Sequence, residues 1–197
     1  MNRHLVVAIT GASGGIYGVR LVQELLAAGV RVSLLVSGCG LAVLKEECGI
    51  DWAAAGDTGK AVRAHFASDR VTWYAEGDFF APIASGSAAP DAMIVCPCTM
   101  GTLGRIAAGI SGNLLERTAD VQIKEGRPLV LVPRETPLSA IHLENMLKLA
   151  RIGVRIVPAM PAFYQRPQTI EDQVDFVVGK VLDQVGVEHS LYKRWGA

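Results

Sequence analysis

The sequence predicts an α/β sandwich built on a mainly parallel sheet, and three observations predict it. Apolar runs of strand length recur at 5–9 (LVVAI), 32–36 (VSLLV), 92–96 (AMIVC), 129–132 (LVLV) and 154–158 (VRIVP). These runs are rich in β-branched residues and barely alternate with polar ones, the pattern of strands buried on both faces. Between them lie stretches with helical spacing, so strand and helix alternate along the chain. No linker rich in Pro, Gly and Ser and no block of like charge interrupts the 197 residues, so the expectation is one domain over 1–197, with 186–197 as a C-terminal tail.

The first strand runs straight into TGASGGIYG at 10–18 and then a helix over 15–28. Glycines crowded between an apolar run and an amphipathic run let backbone approach a phosphate, in mononucleotide and dinucleotide sites alike. The second strand ends at Ser37 and leads into a helix over 38–48. Residues 51–90 break the rhythm with WAAAGDTGKAVRAHF and DFFAPIASGSAAPD, which read as a long irregular loop placed over the ligand site. The third strand ends in CPCTMGT and precedes helices over 99–109 and 113–125; the fourth ends in PRETP and precedes a helix over 138–151. The fifth ends in PAMPAFY, and the last helix covers 170–185. In such sheets the ligand lies beyond the carboxyl ends of the strands, so these five strand ends are where a site is expected.

Composition narrows the partners. The chain has 19 basic and 19 acidic residues, a balance that offers neither a sequence-independent grip on nucleic acid nor attraction to an anionic membrane. Half the residues are hydrophobic and mean hydropathy is +0.31, yet the apolar runs are far shorter than a membrane span. Such an excess is hidden between subunits, so a homo-oligomer is expected. The N-terminus lacks the pattern of a signal peptide, which makes a cytoplasmic location the expectation. Cys39, Cys48, Cys96 and Cys98 form no disulfide framework and no zinc-ligand spacing; buried free thiols at a strand end are expected, and no metal. His142 is expected to stabilise a helix or a subunit contact.

The glycine turn is nearly that of the short-chain dehydrogenases, but a dinucleotide site needs an acid or an arginine at the end of the second strand, where Ser37 stands. None of Tyr17, Tyr74, Tyr164 and Tyr192 has a lysine four residues on, and no G-x-x-x-x-G-K-[ST] occurs. A mononucleotide fits better. Gly11, Ala12 and Ser13 at the first turn, Ser37 at the second strand end, and Thr99, Met100, Gly101 and Thr102 at the next helix start supply hydroxyls and N–H groups. Each hydroxyl alone reads as a helix N-cap; three strand ends converging make a site of them. Arg134, directly after VLVP, reads as an anion contact, whereas Lys124 and Lys180 read equally well as surface charges.

TGASGGIYG, APIASGS (81–87), CPCTMGTL (96–103), NLLERTADV (113–121), KEGRPLVLVPRETPLSAIHLENMLKL (124–149) and FYQRPQTIEDQVDFVVGKVLD (163–183) together resemble the flavin prenyltransferase family over nearly the whole chain. The resemblance implies a Rossmann- or flavodoxin-like three-layer sandwich. It implies transfer of dimethylallyl from dimethylallyl monophosphate to N5 and then C6 of reduced FMN, without a metal. The prenylated FMN would serve a partner decarboxylase of ubiquinone or aromatic-acid pathways. It further implies that Gly11 to Ser13, Ser37, Thr99 to Thr102 and Arg134 hold the flavin, that Lys124, Arg134, Tyr164 and Lys180 meet the prenyl phosphate, and that Arg117 is a further substrate-binding residue. Ser13 and Glu135 would handle protons and Glu47 would be a further catalytic acid near the prenyl phosphate, with Phe79 and Trp195 lining the prenyl group and the tail closing over a neighbouring subunit. The family's usual assembly is a dodecamer. Two departures stand out: Lys180 where arginine is usual, and Phe79 where many members carry tryptophan. FMN-dependent cysteine-type decarboxylases share this type of fold, and they and a non-catalytic flavin carrier are the alternatives.

Overall fold

The structure, a computed structural model, describes residues 3–196. Six strands form one parallel sheet: β1 (His4–Ile9), β2 (Arg31–Val36), β3 (Val71–Tyr74), β4 (Ala92–Cys98), β5 (Leu129–Pro133) and β6 (Arg155–Ile156), in the order β3-β2-β1-β4-β5-β6. The order reverses between β1 and β4, which places the crevice for a ligand between their carboxyl ends.

Side chains of successive strand residues leave on opposite faces, and both faces are covered. Leu5, Val7 and Ile9 of β1 join Val32, Leu34, Ile94 and Val130 in one core. Val6 and Ala8 join Leu35, Met93, Val95 and Leu131 in the other. This two-sided burial is why the strands carry almost no polar alternation. Helices α1 (Gly15–Ala27) and α7 (Ile170–Val185) pack together over the first core, with α2 (Gly38–Cys48) beside α1. Helices α4 (Met100–Ala107), α5 (Leu114–Lys124) and α6 (Ala140–Arg151) cover the second. His142 closes a capping box with Ser139 at the start of α6, so it stabilises that helix as its position implied.

The stretch 51–90 is less irregular than the sequence implied. It contains helix α3 (Thr58–Phe66), started by the side chain of Asp57 accepting from the amide of Lys60, and the edge strand β3, paired along β2. Irregular chain remains at 51–57, which holds a 3-10 turn over Ala53–Ala55, at 67–70, and at 75–91, with two more such turns. In contrast, the fifth expected strand shrinks to the two residues of β6, since Pro158 soon follows and cannot donate to the ladder. The four cysteines are free, and Cys96 and Cys98 are buried with thiols that burial pushes up; Cys39, however, is exposed.

Glu116 is 3% exposed, and its carboxylate accepts from Arg105 of α4 and, at 2.8 Å, from the amide of Gly112. Burial pushes its pKa up, but the Arg105 guanidinium and the Gly112 amide outweigh that and hold it below the usual carboxylate range. Its stabilisation is therefore complete above the ordinary glutamate pKa and is lost as pH falls through the lowered one. Glu116→Gln is expected to lose about 2 kcal/mol at neutral pH and to flatten the acid limb of stability, measured by urea unfolding between pH 3 and 7.

Candidate active site

The loops after β1, β2, β4 and β5 meet at the carboxyl edge of the sheet, and Thr10 ties two of them together. Its buried hydroxyl donates to the Pro97 carbonyl at 2.9 Å and accepts from the Thr99 amide at 2.8 Å. The glycine turn and the CPCT turn are thereby held side by side. Ser37 is fastened to the same edge by its amide, which donates to the Ile9 carbonyl at 3.0 Å.

Ser37 and Thr99, both expected site residues, are N-caps. The Ser37 hydroxyl accepts from the Gly40 amide at 3.0 Å, and the Thr99 hydroxyl accepts from the Thr102 amide at 3.1 Å while donating to the Thr102 hydroxyl. Met100 is buried beneath this turn, while Gly101 is exposed, and a side chain there would meet only the Thr99 hydroxyl, at 3.9 Å.

The crowded glycines have internal reasons to be glycine. Gly14 takes φ 101°, the left-handed region that starts α1, and a side chain at Gly18 would lie 2.4 Å from the Cys96 carbonyl. The turn is already supplied with an anion. Glu47 reaches from α2, and one carboxylate oxygen accepts from the amides of Gly14 at 2.8 Å and Gly15 at 3.2 Å. Burial pushes the Glu47 pKa up, but the Ser13 side chain, these two amides and the Arg134 charge hold it below its ordinary value. Glu76 does the same for α2, accepting from the Gly38 amide at 3.0 Å. Two helix N-termini at this edge thus carry the protein's own carboxylates, and the start of α4 carries none among the described residues. Amides and hydroxyls at such a helix start suit an anion.

Glu76 escaped sequence reasoning because the strand before it was not recognised; an acid directly after VTWYA would have been the signal.

Arg134 follows β5, its amide lies 3.4 Å from the Cys98 carbonyl, and its Nε donates to the Ser13 carbonyl at 3.1 Å. Arg134, Ser13, Glu47 and the Thr99 turn therefore form one group. Glu135 beside it accepts from the Thr136 amide at 3.0 Å, a local turn contact. Phe79 is half-exposed in the loop after β3, next to a fully exposed Phe80.

The other expected phosphate contacts lie apart from this group. Tyr164 stands edge-on to Phe176 and to Trp195, and Lys180 lies 5.7 Å from the centre of the Tyr192 ring; all belong to α7 and the segments crossing its outer face. Tyr164, Gln165, Arg194 and Trp195 line a cleft of about 180 Å³ there. Arg117 and Lys124 form the third group on α5. Arg117 donates to the Ala84 carbonyl at 3.0 Å and pairs with Asp120; Lys124 pairs with Glu125 beside Gly86. Lys124 precedes β5 and Arg134 follows it, and five strand residues separate the two edges by about 16 Å. A single phosphate does not touch Lys124, Arg134 and Lys180 within one chain as it is folded here.

No helix of the described chain is long and apolar enough to cross a membrane.

Comparison with known proteins places this geometry. The Flavoprotein family model matches residues 1–182. The flavin prenyltransferase UbiX of Halalkalibacterium halodurans is 55% identical over 192 residues, covering 96% of this chain and 92% of the relative. Among solved structures, AnUbiX (PadA1) in complex with FMN and dimethylallyl pyrophosphate superposes with a TM-score of 0.89 at 41% identity, covering 100% of this chain and 99% of that one. A dodecameric FMN-dependent UbiX-like decarboxylase from Escherichia coli O157:H7 gives 0.87 at 45% identity, covering 98% of this chain and 100% of its own. With the parallel sheet, the hydroxyl-lined crevice at its carboxyl edge and these relatives spanning the full chain, the protein belongs to the flavin prenyltransferase family of flavoproteins.

Proposed function

We propose that this chain transfers a dimethylallyl group from dimethylallyl monophosphate to N5 and C6 of reduced FMN, releasing phosphate, and that the prenylated flavin serves a partner decarboxylase in the cytoplasm. The observation that carries the proposal is the start of α4. It offers hydroxyls and amides that meet no carboxylate among the described residues, beside Arg134, which is bonded to the glycine turn. That donor set suits a flavin mononucleotide: hydroxyls and N–H groups for one phosphate, and an open surface over Gly101. Gly11 to Ser13 and Ser37 would border the ring, and Thr99 to Thr102 the phosphate. The reduced flavin supplies the nucleophilic positions that accept the prenyl group.

The chain's own residues supply the rest. Loss of phosphate from an allylic carbon needs fixed positive charge on the leaving oxygens and a dry pocket around the developing cation. Arg134 provides the charge at the crevice. Lys124 with Arg117, and Lys180 with Tyr164, reach such a phosphate only from other copies of the chain. The three separate groups therefore support an oligomer in which each site is completed by neighbours, as the dodecameric relative allows. Trp195 and Phe79, both exposed in the single chain, would then exclude water. Glu47, whose pKa is held below its ordinary value and which accepts from the turn amides, would orient Ser13 and accept a proton through it, and Glu135 would be a second acid at the same mouth.

Anaerobic incubation with reduced FMN and dimethylallyl monophosphate, followed by mass analysis of the extracted flavin, tests the reading. A gain of one C5H8 unit with equal phosphate release supports it. Intact FMN, with the diphosphate and longer prenyl donors also failing, would leave a flavin carrier or a cysteine-type decarboxylase. Lys180 permits a finer expectation, because lysine keeps the charge but lacks the fork that grips phosphate in two places. Lys180→Arg should lower the donor KM roughly fivefold, about 1 kcal/mol, in steady-state assays; an unchanged KM would remove Lys180 from the phosphate site.

A further inference from the structure

Asp183 lies on α7 three residues beyond Lys180, and the C-terminal segment converges on its carboxylate. Oδ1 accepts from Arg194 Nη2 at 2.8 Å and from His189 Nε2 at 3.2 Å, while Oδ2 accepts from the Tyr192 hydroxyl at 2.7 Å. His189 Nδ1 accepts from the Leu191 amide at 3.2 Å, which assigns its proton to Nε2, the atom facing Asp183. The imidazole is buried, its side chain 2% exposed. Burial pushes the Asp183 pKa up, but the donors from Arg194, Tyr192 and His189 outweigh it and bring it to about 2.

Chain ends are loose unless tied down, and this one is tied at three residues to one carboxylate. The helix is shaped to receive it. A side chain at Gly179 would stand 2.7 Å from both His189 and Tyr192, so the tail rests directly on α7 backbone. The strapped segment in turn arranges the residues assigned to the donor. Tyr192 packs against Phe176 at 5.1 Å and lies under Lys180; Trp195 meets the Tyr164 ring at 5.2 Å and leaves 81% of its surface exposed.

We infer that Asp183 is a positioning residue for prenyl-donor binding: it anchors the C-terminal strap so that Trp195, Tyr164 and Lys180 present one fixed face to the allylic phosphate. This rests on the function proposed above. A free tail would have to be ordered each time a donor binds, and that ordering weakens binding without changing the groups that touch the donor.

The test compares wild type with Asp183→Asn and Asp183→Glu as FMN-loaded oligomers. Donor binding is read by titration calorimetry with dimethylallyl monophosphate, independently of turnover. Tail order is read by acrylamide quenching, with Trp195→Phe reporting the signal of Trp52 and Trp73. Asp183→Asn is expected to raise Trp195 quenching and weaken donor binding about tenfold, with FMN binding within twofold of wild type and partial recovery in Asp183→Glu. Tyr192→Phe removes one donor and leaves α7 intact; a loss of about threefold in the same direction is expected even if Asp183→Asn assembles poorly. Unchanged quenching in Asp183→Asn would show that the anchor lies elsewhere. A loosened tail with unchanged donor affinity would overturn the positioning role. A wild-type protein that binds the donor but forms no prenylated flavin would sink the proposed function and leave this inference standing; one that binds no donor would sink both.

Discussion

Arg134→Ala is expected to reduce prenyl transfer by about 100- to 1000-fold, the usual cost of removing a fixed positive group from a developing oxyanion in a water-poor site. Arg134 is half-buried as a residue, and its Nε bond to the Ser13 carbonyl leaves its two terminal nitrogens to meet an anion. That one bond to the turn is a small part of stability, so the melting temperature should move by less than about 3 °C. Arg134→Lys should recover part of the rate, because charge returns without the planar fork. Single-turnover kinetics at saturating donor, together with FMN retention on gel filtration, separate two roles. A fall in rate with FMN retained places Arg134 on the leaving phosphate. A parallel fall in both assigns it to the flavin, and a loss below threefold would remove it from the site.

Gly18→Val should produce the largest loss of stability. A Cβ at this position meets the Cys96 carbonyl at 2.4 Å and two carbons of Ile9 at 2.6 and 2.8 Å. The carbonyl belongs to β4 backbone, which cannot swing aside as a long side chain could, so α1 would have to lift from the sheet. The expected cost is about 3 kcal/mol or more, on the upper side of overpacking in a core, and a fall of roughly 6–12 °C in melting temperature for a chain of this length. Because the first turn of α1 also carries the Gly14 and Gly15 amides bound by Glu47, flavin retention should fall with it. Thermal denaturation at matched protein concentration checks the stability, and Gly18→Ala should show a smaller loss in the same direction. A valine variant melting within about 2 °C of wild type would mean that the contact between α1 and β4 relaxes freely.

Legibility in the sequence followed how local the determining interactions are. The helices over 38–48 and 170–185 have the bounds expected of them, because Ser37 and Thr169 cap their starts and Gly49 and Gly186 adopt left-handed conformations at their ends. Each of these signals acts within a turn of the residue that carries it. By contrast, α3 and β3 were hidden within 51–90. Alanines and glycines before Asp57 blur the helical period, and VTWY is a short edge strand of which only Val71 is fully buried. Edge position is a property of the sheet, so no run of four residues announces it.

The sequence by itself determined that the strands are buried on both faces, where most helices begin and end, and which flavoprotein family the chain joins. Those follow from residue type at short spacing. Only the tertiary structure decided that Glu47 and Glu76 fill the N-termini of α1 and α2 while the start of α4 carries no carboxylate among the described residues, and that Asp183 gathers the tail. It also decided that Lys124, Arg134 and Lys180 stand in three places on one chain. The physical reason is that Glu47 reaches Gly14 across 33 residues and Glu76 reaches Gly38 across 38. Such partners meet only once strand order has set which loops are neighbours.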